Sequence, residues 1–297
     1  MEEPMTPHRA GALYVALSAT CFGAMAIFAK YAYLDGVDVA TLLLLRFSIA
    51  ALIMIALVVV QRRVWPRGLN LGLLAAMGGI GYVGQSFSFF SALEFASAAL
   101  VALLLYLHPF IVTVLSAVFF GQALTQVRIV AVLAALVGTA LVIGADVSGQ
   151  PMGIALGVAA ALIYSAYLLT ANRVMRQEDP VAASTVVMSS AAVVLCVMAA
   201  FNGPQLPQST SGWAAILAIA CVSTVVAMVC LFIGIQRLGA ADTATLSTLE
   251  PVVTTVLAAV FLGEQISSIQ VVGGMVILAA VIVLARYGQP VPRSTAQ

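Results

Sequence analysis

Charge is scarce in this sequence. Asp, Glu, Lys and Arg make up 8% of its 297 residues, against roughly 25% in a soluble domain. So few polar side chains do not cover a globule of this size, which excludes a water-soluble enzyme or regulator. The net charge of +1 argues neither for nor against nucleic acid, and no nucleic-acid partner is expected. The four cysteines (Cys21, Cys196, Cys221, Cys230) all lie in apolar runs, and none forms a CxxC pair. A disulfide framework is therefore excluded, and the cysteines read as small packing residues. There are two histidines, His8 and His108. Without HExxH or another ligand cluster a membrane metalloprotease is disfavoured, and no GxSxG elbow is present. No metal or other cofactor is expected. Rings of charge that would make a channel filter are missing. The apolar stretches do not alternate with polar residues, which argues against a β-barrel.

What is present is hydrophobic length: 63% of the residues are apolar. They fall in runs close to the 20 or so residues that one helix needs to cross a bilayer. Breaks at charged, Pro or Gly clusters delimit ten spans, near 11–33, 38–60, 69–91, 96–119, 127–145, 152–173, 181–201, 212–235, 239–261 and 267–286. The first run is long and many follow it, so it reads as a retained span, not a cleaved signal. The joining loops are too short for a soluble domain. Residues 1–10 and 287–297 read as loose polar tails.

Arg9, Arg62, Arg63, Arg67, Arg128, Arg173, Arg176, Arg237, Arg286 and Arg293 fall on the N-terminal face. Only Lys30 and Arg46 fall toward the other, a bias of ten against two. The positive-inside rule then predicts that both termini are cytoplasmic. The opposite face carries Asp35, Asp38, Glu94, Asp146 and Glu264.

The two halves repeat. LHPFIVTVLSAVFFG at 107–121 and LEPVVTTVLAAVFLG at 249–263 agree at nine of fifteen positions, at an offset of 142. Two five-span units, 11–145 and 152–286, follow. Five is odd, so the second unit enters the membrane from the opposite side. The reading is an all-α polytopic membrane protein, with ten transmembrane helices arranged as two inverted five-helix repeats. Secondary transporters are built this way.

FFSALEFASAALVALLLYLHPF and LGAADTATLSTLEPVVTTVLAAVFLGE resemble the third-to-fourth and ninth span regions of the drug/metabolite transporter superfamily, EamA type. Over 11–286 the chain is most similar to its bacterial aromatic amino-acid exporters. The resemblance implies an inner-membrane carrier of small molecules, with its site between the halves. The third, fourth, eighth and ninth spans would be the walls. The sequence leaves the oligomeric state open, a monomer being sufficient.

Two titratable residues lie mid-span, His108 and Glu250, and the repeat makes them equivalents. Each precedes a proline, Pro109 or Pro251, which breaks the helix and frees the carbonyl of Leu105 or Ser247. Both read either as substrate contacts, with proton handling, or as buried groups satisfied by neighbours. Thr243, Ser247, Glu250 and Thr254 share a helical face. Tyr82, Gln85 and Phe89 share another, beside the close-approach glycines Gly78, Gly79, Gly81 and Gly84. Tyr82, Tyr106, Tyr164 and Tyr167 would make a wall for a planar amphipathic substrate. Tyr106 lies about 200° around an ideal helix from His108, so both point inward only if the proline distorts the turn. Lys30 and Arg46 read as interfacial cations paired with Asp35 or Asp38, or as an outer gate that guides a carboxylate.

Two carrier functions compete: export of aromatic or related amino acids, and broad efflux of cationic drugs with Glu250 as counter-charge. Orientation is directly testable. In a Val64→Cys variant, a membrane-impermeant maleimide should label position 64 from the cytoplasmic side only. Labelling from outside would reverse the orientation.

Overall fold

The computed structural model of the chain describes residues 7–144 and 148–287. Asp146, Arg293 and most of both expected tails lie outside them. Among the described residues ten helices are long and apolar enough to span a membrane. They are His8–Leu34, Val39–Val60, Gly68–Ala92, Leu100–Phe120, Gln126–Ile143, Pro151–Val174, Pro180–Ala200, Thr210–Leu238, Ala240–Leu262 and Ser268–Tyr287. The shortest has 18 residues, about 27 Å at 1.5 Å per residue, close to a bilayer's apolar thickness. The first helix starts at Pro7, inside the stretch expected to be tail. His8 Nδ1 lies 3.2 Å from the carbonyl of Ala285, so the first and last spans end on the same face.

The helices start where the sequence supplies caps. Asp38, Ser97, Thr125, Asp179 and Ser209 each accept a hydrogen bond from a backbone N–H of the next first turn, meeting donors that the helix leaves unpaired. The equivalent fourth and ninth spans both stop at a left-handed glycine, Gly121 (φ 63°) and Gly263 (φ 70°), a conformation that costs glycine little. Asp35 ties the loop before the eighth span. The amides of Gln208 and Ser209 donate to its Oδ2, and these bonds hold its carboxyl below the usual range.

Packing follows the repeat. The first span packs on the eighth and the third on the sixth, which are equivalent pairings. The fifth packs on the tenth, and the second on the seventh, each being the other's counterpart. Small residues set the fifth–tenth crossing. A Cβ on Gly138 would stand 2.8 Å from the carbonyl of Gly273, and one on Gly273 would stand 2.7 Å from that of Gly138. Without a hydrophobic drive between helices in lipid, such close backbone approach supplies the attraction. The central apolar cluster joins Phe47, Met54, Val187, Met188 and Phe232.

Five interruptions shape the interior. The fourth span breaks between helices Ala98–Leu105 and His108–Phe120, and the ninth between Ala240–Leu246 and Leu249–Leu262. Pro109 and Pro251 therefore sit in the first turn of a new half-helix, where a missing N–H costs little. The first span breaks at Ala24, and the third and eighth each contain a wide π-helical turn, Met77–Tyr82 and Cys221–Val226. These three carry no proline, and the sequence reading did not anticipate them.

Gly78 is the expected close-approach glycine that matters most. A Cβ there would collide with Ser190 Oγ and the Val187 carbonyl of the seventh span, whereas Gly84 has nothing within 4 Å. Gly78→Ala should cost about 1–3 kcal/mol by overpacking. Gly84→Ala should be neutral or stabilise by up to about 1 kcal/mol. Thermal unfolding of the two variants in detergent separates them.

Candidate functional site

Arg46 lies seven residues beyond Val39, the start of the second span, about 10 Å along the helix. Its side chain does not reach back to the surface; the residue is 2% exposed. Nε donates to Thr224 Oγ1 at 2.6 Å, and Nη2 donates to the Tyr82 hydroxyl at 2.9 Å and to the Ser223 carbonyl at 3.4 Å. Tyr82 closes the π-turn of the third span, and Thr224 lies inside that of the eighth. The Thr224 hydroxyl donates to the carbonyl five residues back, at Ile219 (2.9 Å), which fits the wide turn. One guanidinium thus spans two irregular turns. The repeat offset makes Tyr82 and Thr224 exact equivalents.

A chain of rings runs from this point. Tyr82 stands edge-on to Phe47 (4.8 Å) and Tyr167 (6.4 Å); Tyr167 stacks on Tyr164 (6.0 Å, 18°). Tyr164 meets His108 edge-on at 4.7 Å, and His108 lies 5.9 Å from Tyr106. All four expected tyrosines therefore join one wall. Tyr106 and His108 meet because the helix breaks between them. The 200° argument holds only for a continuous helix.

Both freed carbonyls are satisfied nearby. His108 Nδ1 donates to Leu105 at 3.0 Å, and the amide of Glu250 donates to Ser247 at 3.0 Å. The tautomer of His108 follows: with Nδ1 protonated, the buried Nε2 is an acceptor without a partner among the described residues. The buried Tyr167 hydroxyl also lacks one. Glu250 sits in the first turn of its half-helix, where the helix dipole favours a negative charge. The residue keeps partial exposure. The rest of its helical face is hydrogen-bonded to backbone. Ser247 bonds back to Thr243 (2.9 Å), and Thr254 donates to the carbonyl of Gly23 (3.0 Å), beside the break of the first span.

Three expected residues stay apart from this cluster. Gln85 and Phe89 are partly exposed, and Phe89 stacks edge-on with Phe90 at 5.6 Å. Lys30 pairs with Glu264 at 3.5 Å, both half-exposed; Asp35 and Asp38 serve as a loop tie and a cap instead. The two outer cations expected to act together are thus separated, Lys30 at the surface and Arg46 inside.

The sequence reading missed a second charged cluster. Arg128, counted only as a topology charge, holds Asp242 by a fork of two bonds: Nε to Oδ1 at 2.7 Å and Nη2 to Oδ2 at 2.9 Å. Arg128 is 6% exposed and Asp242 1%. Arg128 Nη1 also donates to the carbonyl of Ala123, and His8 Nε2 approaches Asp242 at 3.9 Å. Spans one, five and nine are therefore tied on the N-terminal face. Every residue of Ala240–Leu246 is buried there, and the amide of Ala240 donates to Asn172 at 3.2 Å. Deeper in, Tyr82, Tyr106, Tyr164 and Glu250 retain partial exposure. The opposite half carries clefts. Apolar cavities of about 190 and 450 Å³ open there, between spans two, three and seven and between spans one, eight and nine. Neither is lined by the ring wall.

The two halves also match known proteins. The model of the EamA-like transporter family matches residues 9–144 and, a second time, 151–286. The chain belongs to the EamA-like transporter family. It is a multi-pass membrane transporter, not an enzyme. The chain is 26% identical to an uncharacterized transporter, YcbK, of Bacillus subtilis over 277 residues, 89% of each chain. It is 28% identical over 204 residues to the aromatic amino acid exporter YddG of Ancylobacter novellus, covering 67% of this chain and 68% of that one. A crystal structure 24% identical shares the fold, with a TM-score of 0.79 over 93% of this chain and 97% of the other.

In this EamA-like transporter the Arg128–Asp242 pair is fully desolvated, so removing one partner strands the other. Asp242→Asn should lower stability by about 3–5 kcal/mol, and Arg128→Met with Asp242→Leu should recover most of the loss. Thermal unfolding in detergent compares them. Equal stability of Asp242→Asn and the parent would contradict the buried-pair assignment.

Proposed function

We propose that this transporter exports aromatic or related amino acids and amphipathic metabolites across the bacterial inner membrane by alternating access, with both termini in the cytoplasm. The observation that carries the reading is the mid-membrane ring wall that includes His108, whose Nε2 has no partner among the described residues. Planar side chains stack on such rings, and an acceptor nitrogen suits a donor on the substrate. His108, Tyr82, Tyr106, Tyr164, Tyr167, Ser247 and Glu250 are the proposed substrate-facing residues. Gln85 and Phe89 would flank the path toward the opposite face. The printed activity of YddG, an aromatic amino acid exporter, supports the same substrate class.

One sealed face and one face with clefts support alternating access. In the proposed cycle the N-terminal face is shut by the Arg128–Asp242 tie while the site communicates with the outside. Loading from the cytoplasm requires that tie to part as the halves rock. The broad cationic-efflux reading draws on Glu250 alone, and the buried positive charge of Arg46 in the same interior disfavours a lone cation.

Counterflow of labelled phenylalanine into liposomes of purified protein tests the function. The protein should accelerate uptake when the lumen holds unlabelled phenylalanine. His108→Ala should reduce that uptake about tenfold with unchanged membrane yield. If cationic dyes exchange and amino acids neither move nor compete, the efflux reading replaces this one.

A further inference from the structure

We propose that the site recognises its substrate as a zwitterion, with Arg46 taking the carboxylate and Glu250 the ammonium group. This deepens the amino-acid reading above and rests on it, naming the two contacts that would read the polar ends of the molecule.

The protein itself shows how it neutralises an arginine with a protein partner. Arg128 receives a two-pronged carboxylate from Asp242. Arg46 is as deeply buried, yet no carboxylate among the described residues lies within ion-pair distance of it. Its partners are two hydroxyls, a carbonyl and the faces of the Phe47 and Tyr82 rings, 4.9 and 5.6 Å from Cζ. These neutral partners orient the guanidinium plane and ease its burial but bring no counter-charge. They also leave Nη1 without a bonded partner among the described residues. A buried cation in a membrane is costly and marks a substrate or ion path, and the planar fork of arginine matches a carboxylate.

Glu250 is the complementary half. Its carboxylate oxygens accept no hydrogen bond among the described residues, the residue is partly exposed, and it stands at the ninth-span break that the repeat makes equivalent to the break at His108. Two opposite charges in a low-dielectric interior would gain by touching, but each is anchored on its own element. Arg46 is held by the two π-turns, and Glu250 by the first turn of a half-helix. A solute that carries a negative and a positive end can meet both without either leaving its anchor. An amino acid's carboxylate at Arg46 and its ammonium at Glu250 neutralise both residues at once. Its side chain then lies against the rings of Tyr106 and Tyr164, which flank His108 at the equivalent break. An amine lacking the carboxylate leaves Arg46 uncompensated, and an acid lacking the ammonium leaves Glu250 so. A site built around buried charge rejects an analogue that lacks the matching group.

The test is competition against labelled phenylalanine counterflow by phenylalanine, phenethylamine and 3-phenylpropionate. For the parent protein both analogues should compete about tenfold or more weakly than phenylalanine. Glu250→Gln should lose the preference for phenylalanine over 3-phenylpropionate but keep it over phenethylamine. Arg46→Gln should do the reverse. Arg46→Lys keeps the charge and should keep the preference over phenethylamine at reduced affinity; if Arg46→Gln does not fold, Arg46→Lys and Glu250→Gln decide. Equal competition by all three compounds in the parent, or equal weakening of all three in either variant, would overturn the zwitterion assignment and leave the amino-acid reading standing. Absence of phenylalanine counterflow in the parent would overturn both.

Discussion

A guanidinium buried at 2% exposure inside a membrane protein is the constraint around which this interior is arranged. The burial is tolerable only when most donors are met, and regular helices have few spare acceptors to offer. The two π-turns supply them. In the eighth span the wide turn lets the Ser223 carbonyl turn toward Arg46 and sets the Thr224 hydroxyl beside it. In the third span the wide turn ends on Tyr82, whose hydroxyl accepts from Nη2 and whose ring starts the aromatic wall. Electrostatics and ring packing are therefore joined at one residue, and π-turns at such a position fit their frequent association with functional sites.

The backbone is pseudo-symmetric but the charge is not. Tyr82 and Thr224 are equivalents, yet the one arginine between them comes from the first half, and its counterpart in the second is Met188. His108 is matched by Glu250, giving an imidazole at one helix break and a carboxylate at the other. The Arg128–Asp242 tie has Gln270 and Leu100 as its counterparts, a pair that cannot form an ion bridge. Duplication supplied two similar halves. The distribution of ionisable groups then distinguishes the two faces, and a carrier with a preferred direction or resting state needs that distinction.

Much of this was legible in the sequence because the relevant physics is local. Span lengths follow from hydropathy, caps from single side chains, and the breaks at Pro109 and Pro251 from a missing N–H. The four tyrosines of the wall were found from type and depth. What was not legible depended on geometry that only the folded chain creates. Arg46 reads either as interfacial, because an arginine near a span end usually snorkels, or as an outer gate or carboxylate guide; nothing local announces that Tyr82 and Thr224 wait for it. The π-turn at Cys221–Val226 depends on a hydroxyl bond five residues back, which no periodicity reveals. The Arg128–Asp242 pair joins residues 114 apart. A lone Asp two residues into an apolar span was the available signal, and the arginine's value as a topology marker concealed its partner.

The contrast between the two buried arginines carries the functional argument furthest. Both are inaccessible and both are oriented by side chains from other spans. One has its counter-charge in hand and ties three helices. The other has its counter-charge held at a distance by the helix break that Pro251 imposes. Had Glu250 reached Arg46 directly, the interior would hold a second structural bridge and the ring wall would be core packing. Because the break fixes Glu250 at the start of a half-helix while the π-turns fix Arg46, neither relaxes onto the other. In the proposed site, two charges held apart are then available to a solute, and the aromatic wall is the surface such a solute would meet.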